Sequence, residues 1–80
     1  MNQGLKRPLS VPEEALGKLE LIALTLAAHG YEPAAIATRL DLARDEVEAL
    51  LINAERKLGA ENRMHAITIA ARTGLIGIEV

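Results

Sequence analysis

The 80-residue chain contains no cysteine, phenylalanine or tryptophan, and Tyr31 is its only aromatic residue. Without cysteine, disulfides and thiolate metal sites are excluded. Without large aromatic rings, the core must be built from Leu, Ile, Val and Ala, which favours packed helices over a sheet. Eighty residues make one small domain, near the lower limit of what a single core can stabilise. We therefore expect dimerisation to add stability.

Long apolar runs are also lacking. The most apolar stretch, residues 19–28, is too short and too interrupted to cross a bilayer, and no secretory signal is visible. We expect a cytoplasmic protein that does not contact a membrane.

An excess of positive charge is absent as well, because 9 Lys and Arg stand against 11 Asp and Glu, for a formal net charge of −2. DNA binding depends on cations that neutralise phosphates, so this balance argues against tight binding unless the charge is distributed unevenly. No phosphate loop and no nucleophile–base arrangement can be assembled around Ser10, the only serine, so an enzyme is not expected. His29 and His65 lack cysteine companions, so we expect no metal and no cofactor.

The first predicted helix begins after residues 1–9, which show no periodicity and are expected to form a flexible arm. Ser10 and Glu13 fit a capping box, and Gly30 fits the end of the helix. Gly17 predicts a break or kink between them. The apolar positions with helical spacing, and hence the expected buried face, are 16, 19, 23, 26 and 27.

Two further helices are predicted downstream. Pro33 suits the first turn of a short helix that runs to about Leu40. A tight connection at 41–43 leads to a third helix from about Arg44 to Leu58, and Gly59 ends it. The expected buried residues are Ile36, Ala37 and Leu40 in the second helix and Val47, Leu51, Ala54 and Leu58 in the third.

A fourth helix completes the predicted all-α fold. Asn62 fits its N-cap and Gly74 its end. Its expected inward residues are Ala66, Ile67, Ala70 and Ala71. We expect the helical domain to cover residues 10–76, followed by a short apolar tail at 77–80.

An ordered set of residues with consistent gaps runs from 16 to 76: Leu16, Glu20, Leu24, 26–30, Ile36, Ala37, Leu40, Leu42, Val47, 56–59, Asn62, Arg63, Ala66 and 74–76. With this set the chain resembles the LuxR-type, or GerE-like, helix-turn-helix family, and the set is far more specific than a lone Ile-Ala dipeptide. The resemblance implies four helices, of which the second and third form the helix-turn-helix, dimerisation through the fourth helix, and control of transcription.

The third helix departs from the family pattern where the family contacts DNA. The usual serine at its start is Ala43, the Thr-Val-Lys motif has become Glu46-Val-Glu48, and the usual histidine is Leu50. Together with Asp45, three acids occupy the end that should enter the groove. Acids in a first turn stabilise a helix by about 0.3–1 kcal/mol each, but they repel phosphates, which places duplex DNA in doubt as a partner.

The outward face of the third helix is predicted from the helical wheel. Residues expected to point outward are Glu46, Ala49, Leu50, Asn53 and Lys57, flanked by Asp45, Glu48, Ile52 and Arg56. Leu50 and Ile52 lie outside the predicted core stripe. They therefore predict an apolar interaction patch beside Ala49.

Two functions fit this pattern. The first is a small stand-alone transcription regulator that binds DNA as a dimer, weakly or with a partner, through the third helix. Its candidate contacts are Arg39, Arg44, Asn53, Arg56, Lys57 and Arg63, with Lys57 the strongest on resemblance. The alternative without a role in binding is that these cations are surface charges that form ion pairs with Asp41, Glu55 and Glu61.

The second function is a regulatory protein-interaction module that has lost direct DNA recognition and dimerises or captures another transcription regulator. Its candidate contacts are Leu50, Ile52, Ile69, Leu75 and Ile76.

Overall fold

The computed structural model describes residues 16–77, which form four α-helices and no strand. The helices are α1 (Lys18–Ala28), α2 (Pro33–Leu40), α3 (Arg44–Lys57) and α4 (Arg63–Arg72). The predicted all-α fold is confirmed. The expected arm at 1–9, the capping box of Ser10 and Glu13, and residues 78–80 of the expected tail lie outside the described residues. No helix within 16–77 has the length and apolarity needed to cross a membrane.

The break predicted at Gly17 is observed, and α1 begins directly after it. Gly17 has extended backbone angles (φ −71°, ψ 163°) and is the N-cap of α1, so residues 16 and 17 are not part of a helix. The backbone N–H of Gly17 donates to the Glu20 carboxylate at 2.8 Å. Gly17, where a break or kink was predicted, therefore marks the start of α1, because a glutamate three residues later satisfies the N-cap donor.

The buried face of α1 also differs from the prediction. Ala23 and Leu24 are fully buried, whereas Leu19 is 46% exposed. Eight of the 11 residues of α1 are apolar, so the spacing of apolar residues does not define which face is buried. The expected burial of Leu19 was wrong for this reason.

The ends of the helices follow the predicted signals. Pro33 occupies the first turn of α2, and Asp41, in the tight connection to α3, has left-handed backbone angles (φ 59°). Gly59 follows α3 with φ 68°, where a side chain would be strained, and the N–H of Ala60 returns to the carbonyl of Glu55 at 2.9 Å. The helices therefore end where these signals predict.

The core is organised around α3, which packs against α1, α2 and α4. Its predicted stripe is confirmed, since Val47, Leu51 and Ala54 are fully buried and Leu58 nearly so. The surrounding helices contribute the other buried apolar residues, namely Leu16, Ala23, Leu24, Ile36, Ala37, Ala66, Ala70 and Ile76. The face of α3 opposite this stripe is left for contacts outside the domain.

The N-cap of α4 provides a test of the local rules. The Asn62 side chain accepts from the backbone N–H of His65 at 2.8 Å. We expect Asn62→Ala to lower the free energy of unfolding by about 0.5–2 kcal/mol and Asn62→Asp, which retains an acceptor, to lower it much less. Urea unfolding followed by circular dichroism measures both, and equal stability of Asn62→Ala and the wild type would contradict the assignment.

Candidate nucleic-acid interface

The outermost row of α3 consists of Asp45, Ala49, Ile52 and Arg56, all of which are exposed. Their spacing of four, three and four residues places them along one line of the helix, opposite the buried stripe. This line is rotated from the predicted outward face, in which they were mostly flanking positions. Asn53, predicted to point outward, is half-buried beside it.

Leu50 and Ile52 do not form one patch, contrary to the prediction. Leu50 is partly buried and packs against the core, whereas Ile52 is 53% exposed. Residues two positions apart are separated by about 200° around an α-helix, so the two side chains lie on different sides of α3. Of the predicted pair, only Ile52 remains on the outer row.

Two of the three acids at the start of α3 have partners within the domain. Glu46 accepts from the backbone N–H of Ala43 at 2.8 Å, which is the half of a capping box that does not need the missing serine. Glu48 lies 3.8 Å from Arg44 and 3.4 Å from Arg63. Asp45 has no ion pair among residues 16–77. The negative charge offered outward by this end of α3 is therefore smaller than the sequence suggests.

Arg63 joins the start of α4 to α3. Its Nε lies 3.0 Å from Oε2 of Glu55, and its Nη2 lies 3.4 Å from Oε1 of Glu48. Glu48 also lies near Arg44, so the four side chains form one network. The pairing with Glu55 matches the alternative in which the candidate cations form surface ion pairs, whereas the pairing with Glu48 was not predicted.

Lys57 is bound to a residue that sequence spacing could not indicate. Its Nζ donates to Oε1 of Glu20 at 2.8 Å, and the same oxygen accepts from the N–H of Gly17. Burial on its own would raise the pKa of Glu20. The hydrogen bonds from Lys57 and Gly17, with the positive charges of Lys57 and Arg56, outweigh burial and hold that pKa below its usual value. The available signal was Glu20 itself, a lone acid in an apolar helix.

Arg39 and Arg56 have neutral partners. The Arg39 guanidinium lies 4.3 Å from the centre of the Tyr31 ring and donates to the Tyr31 hydroxyl at 2.7 Å. Arg56 donates to the side-chain oxygen of Asn53. Neither arginine has a carboxylate within salt-bridge distance among residues 16–77, so both can bind an external anion without breaking such a pair. Among the candidate cations, these two are the best placed for such a contact.

The candidate protein-contact residues outside α3 are less exposed than predicted. Ile69 and Leu75 are half-buried, and Ile76 is only 6% exposed and belongs to the core. Ile76 therefore cannot contribute to a surface without leaving that core. Met64, in the first turn of α4, is 69% exposed and was not predicted. Its signal in the sequence is its position off the spacing of the buried alanines at 66 and 70.

Both histidines lie at helix ends. His29 follows α1, with its Nδ1 2.8 Å from the carbonyl of Thr25, and His65 is exposed, with its Nδ1 accepting from the N–H of Glu61 at 3.0 Å. No group of three His, Asp or Glu that could hold a metal ion occurs within residues 16–77.

Comparison with known proteins agrees with this architecture. Residues 14–70 match the family described as bacterial regulatory proteins of the luxR family. The matched segment covers most of the chain and all of α1, α2 and α3. The chain therefore belongs to the LuxR family of helix-turn-helix regulators, and the predicted resemblance is confirmed.

Two bacterial relatives share this segment. The chain is 45% identical over 62 residues to the response regulator RamR of Streptomyces coelicolor, covering 78% of this chain and 31% of RamR. It is 36% identical over 67 residues to the transcriptional regulatory protein YdfI of Bacillus subtilis, covering 84% of this chain and 32% of YdfI. The chain thus spans about a third of the length of these relatives. No solved structure matches it.

The ion pair between Glu20 and Lys57 gives a pH-dependent prediction. We expect Glu20→Gln to lower the free energy of unfolding by about 1.5–3 kcal/mol at pH 7, because a charge-assisted hydrogen bond is lost. The pKa of Glu20 is lowered by folding, so the stabilisation is present above the usual glutamate value of 4.5 and is lost as the pH falls through the lowered pKa. Urea unfolding between pH 7 and pH 3 measures the difference.

Asp45→Asn is the matched control for Glu20→Gln. It removes the same charge from an exposed position without an ion pair in residues 16–77, and we expect only the loss of its favourable interaction with the helix dipole, about 0.3–1 kcal/mol. A Glu20→Gln effect that persists unchanged at pH 3 would contradict the role of the ionised carboxylate.

Proposed function

We propose that this domain regulates transcription by binding duplex DNA, with α3 in the major groove. The observation that carries the proposal is the exposed outer row of α3, which ends in Arg56, on the second helix of a helix-turn-helix unit. Membership in the LuxR family supports it, as does the similarity to the response regulator RamR and the transcriptional regulatory protein YdfI.

Electrostatics favour DNA more than the net charge suggests. Glu48 and Glu55 lie beside Arg63, so these two carboxylates are partly neutralised inside the domain. Ion pairs also occupy three of the candidate cations, because Arg44 and Arg63 lie beside Glu48 and Lys57 is bound to Glu20. The charge balance predicts weak binding with a shallow salt dependence, since few cations are left to displace counterions from the phosphates.

The proposed roles of Arg39 and Arg56 differ. Arg56 lies at the end of the outer row, where its guanidinium can reach a base edge or a phosphate of the groove. Arg39 lies in the last turn of α2, and stacking on Tyr31 restricts its side chain. We assign Arg39 to a phosphate contact, which fixes the position of the domain without selecting a sequence.

We further propose that the protein acts as a dimer, with α4 at the interface. Met64 is 69% exposed in the first turn of α4, so this helix offers an apolar side chain outside the core. Two copies related by a two-fold axis would place two α3 helices on successive half-sites.

Arg56→Gln tests the assignment to DNA. The probes are duplexes selected by the wild-type protein from a random-sequence pool at low salt. We expect Arg56→Gln to weaken binding by about 5- to 150-fold, the range for losing one base contact from arginine. Fluorescence anisotropy over a salt titration measures the affinity and its salt slope.

Two matched variants control for charge alone. Arg72→Gln removes the same charge from the exposed end of α4, and we expect little change in affinity. Asp45→Asn removes the acid from the outer row, and we expect tighter binding at low salt because repulsion of phosphate is relieved. Equal losses for Arg56→Gln and Arg72→Gln would count against recognition by α3. No saturable binding by the folded wild-type protein would overturn the proposed function.

The second candidate function is capture of another regulatory protein without direct DNA recognition. The exposure of three large apolar residues, Leu19, Ile52 and Met64, favours it, because exposed apolar surface serves association. These residues lie on three different helices.

Met64→Glu tests association through α4. Because a charge at the centre of an apolar contact is costly, we expect the mass measured by light scattering to fall to that of the monomer. Arg72→Glu, at an exposed position of the same helix, should leave the mass unchanged. A dimer that withstands Met64→Glu would contradict an interface centred on this residue.

A further inference from the structure

We propose that Ile52 recognises the C5-methyl group of a thymine in the major groove and is thereby a specificity-determining residue. This inference rests on the proposed DNA-binding function. Ile52 is 53% exposed in the middle of the outer row, and the core stripe of α3 is complete without it. Packing within the domain therefore does not account for an isoleucine at this position.

The apolar surface around Ile52 is small. Within the outer row only Ala49 adjoins it as an apolar neighbour, because Leu50 lies on another side of the helix and packs against the core. The charged residues Asp45 and Arg56 bound the pair at the two ends of the row. A stable protein interface buries about 800 Å² on each partner, far more than two such side chains provide. A single methyl group matches the size of this patch.

The chemistry of the groove identifies the ligand. Thymine is the base that presents a methyl group in the major groove, and apolar side chains are its usual partners. An isoleucine in a helix is confined to one main χ1 rotamer, so little conformational freedom is lost when its methyl groups meet that of thymine. Ala49, one turn earlier on the same row, leaves room for the base to approach.

The position of Arg56 relative to Ile52 predicts the spacing between the thymine and a second base in the duplex. Ile52 and Arg56 are four residues apart, a rise of about 6 Å along the helix. Successive base pairs are about 3.4 Å apart, so the two side chains face bases separated by one or two steps. Arginine pairs best with guanine in this groove. The duplexes that bind most tightly should therefore carry a thymine one or two base pairs from a guanine.

Replacing thymine by deoxyuridine tests the contact, because this change removes the methyl group and keeps base pairing. Duplexes selected from a random pool by the wild-type protein are remade with deoxyuridine at single positions. We expect one such position to weaken binding about fourfold, as for the loss of one buried methyl group. In Ile52→Ala the ratio of the two affinities should fall to about one, while Leu19→Ala, at an exposed apolar position of α1, should keep the wild-type ratio.

The outcomes separate the inference from the function beneath it. Binding without any effect of deoxyuridine, or the same effect in Ile52→Ala, overturns thymine recognition and leaves DNA binding intact. No saturable duplex binding by the folded protein overturns both. If Ile52→Ala lowers the mass in light scattering and leaves duplex affinity unchanged, Ile52 contacts protein and the inference is wrong. Circular dichroism of each variant confirms the fold, which an exposed position should not disturb.

Discussion

The position of α3 depends on one charged contact made near its end. Glu20 lies largely out of solvent, and one oxygen of its carboxylate accepts hydrogen bonds from both Gly17 and Lys57. The first of these bonds defines where α1 begins, and the second ties α1 to the last turn of α3. Since α3 packs against every other helix, this carboxylate couples the start of the described chain to the orientation of its centre. The hydrogen bonds from both donors offset the cost of burying this carboxylate in its ionised form.

Other acids of α3 are also bound to groups within the domain. Glu46 serves the backbone of Ala43, and Glu48 and Glu55 serve Arg63, so the acids that set the net charge do not all face outward. Net charge is thus a poor guide to the field at a particular face of this small domain. The outer row carries one acid and one arginine with two apolar side chains between them. This composition differs from the basic surface expected of a strong, unspecific DNA binder.

The sequence predicted those features that follow from local rules. The Asn62 cap, Pro33 in the first turn of α2 and the buried stripe of α3 all appeared as expected, because caps and alternating polarity act over a few residues. The phase of α1 was missed because a helix that is apolar on nearly every side has no periodic signal. The bond from Lys57 to Glu20 spans 37 residues, and no spacing rule reaches that far. The outer row of α3 is rotated by a fraction of a turn from the predicted one, so that Ile52 and not Leu50 lies on it. This rotation is set by the packing of the helices.

The bridge made by Arg63 has a mechanical consequence. Its guanidinium belongs to the first turn of α4 and reaches two carboxylates, Glu48 and Glu55, that lie about two turns apart on α3. Sliding one helix along the other would break at least one charged contact. The bridge therefore favours movement of α3 and α4 as one rigid unit. Displacement of α4 along α3 is thereby opposed at two points of α3 that lie about two turns apart.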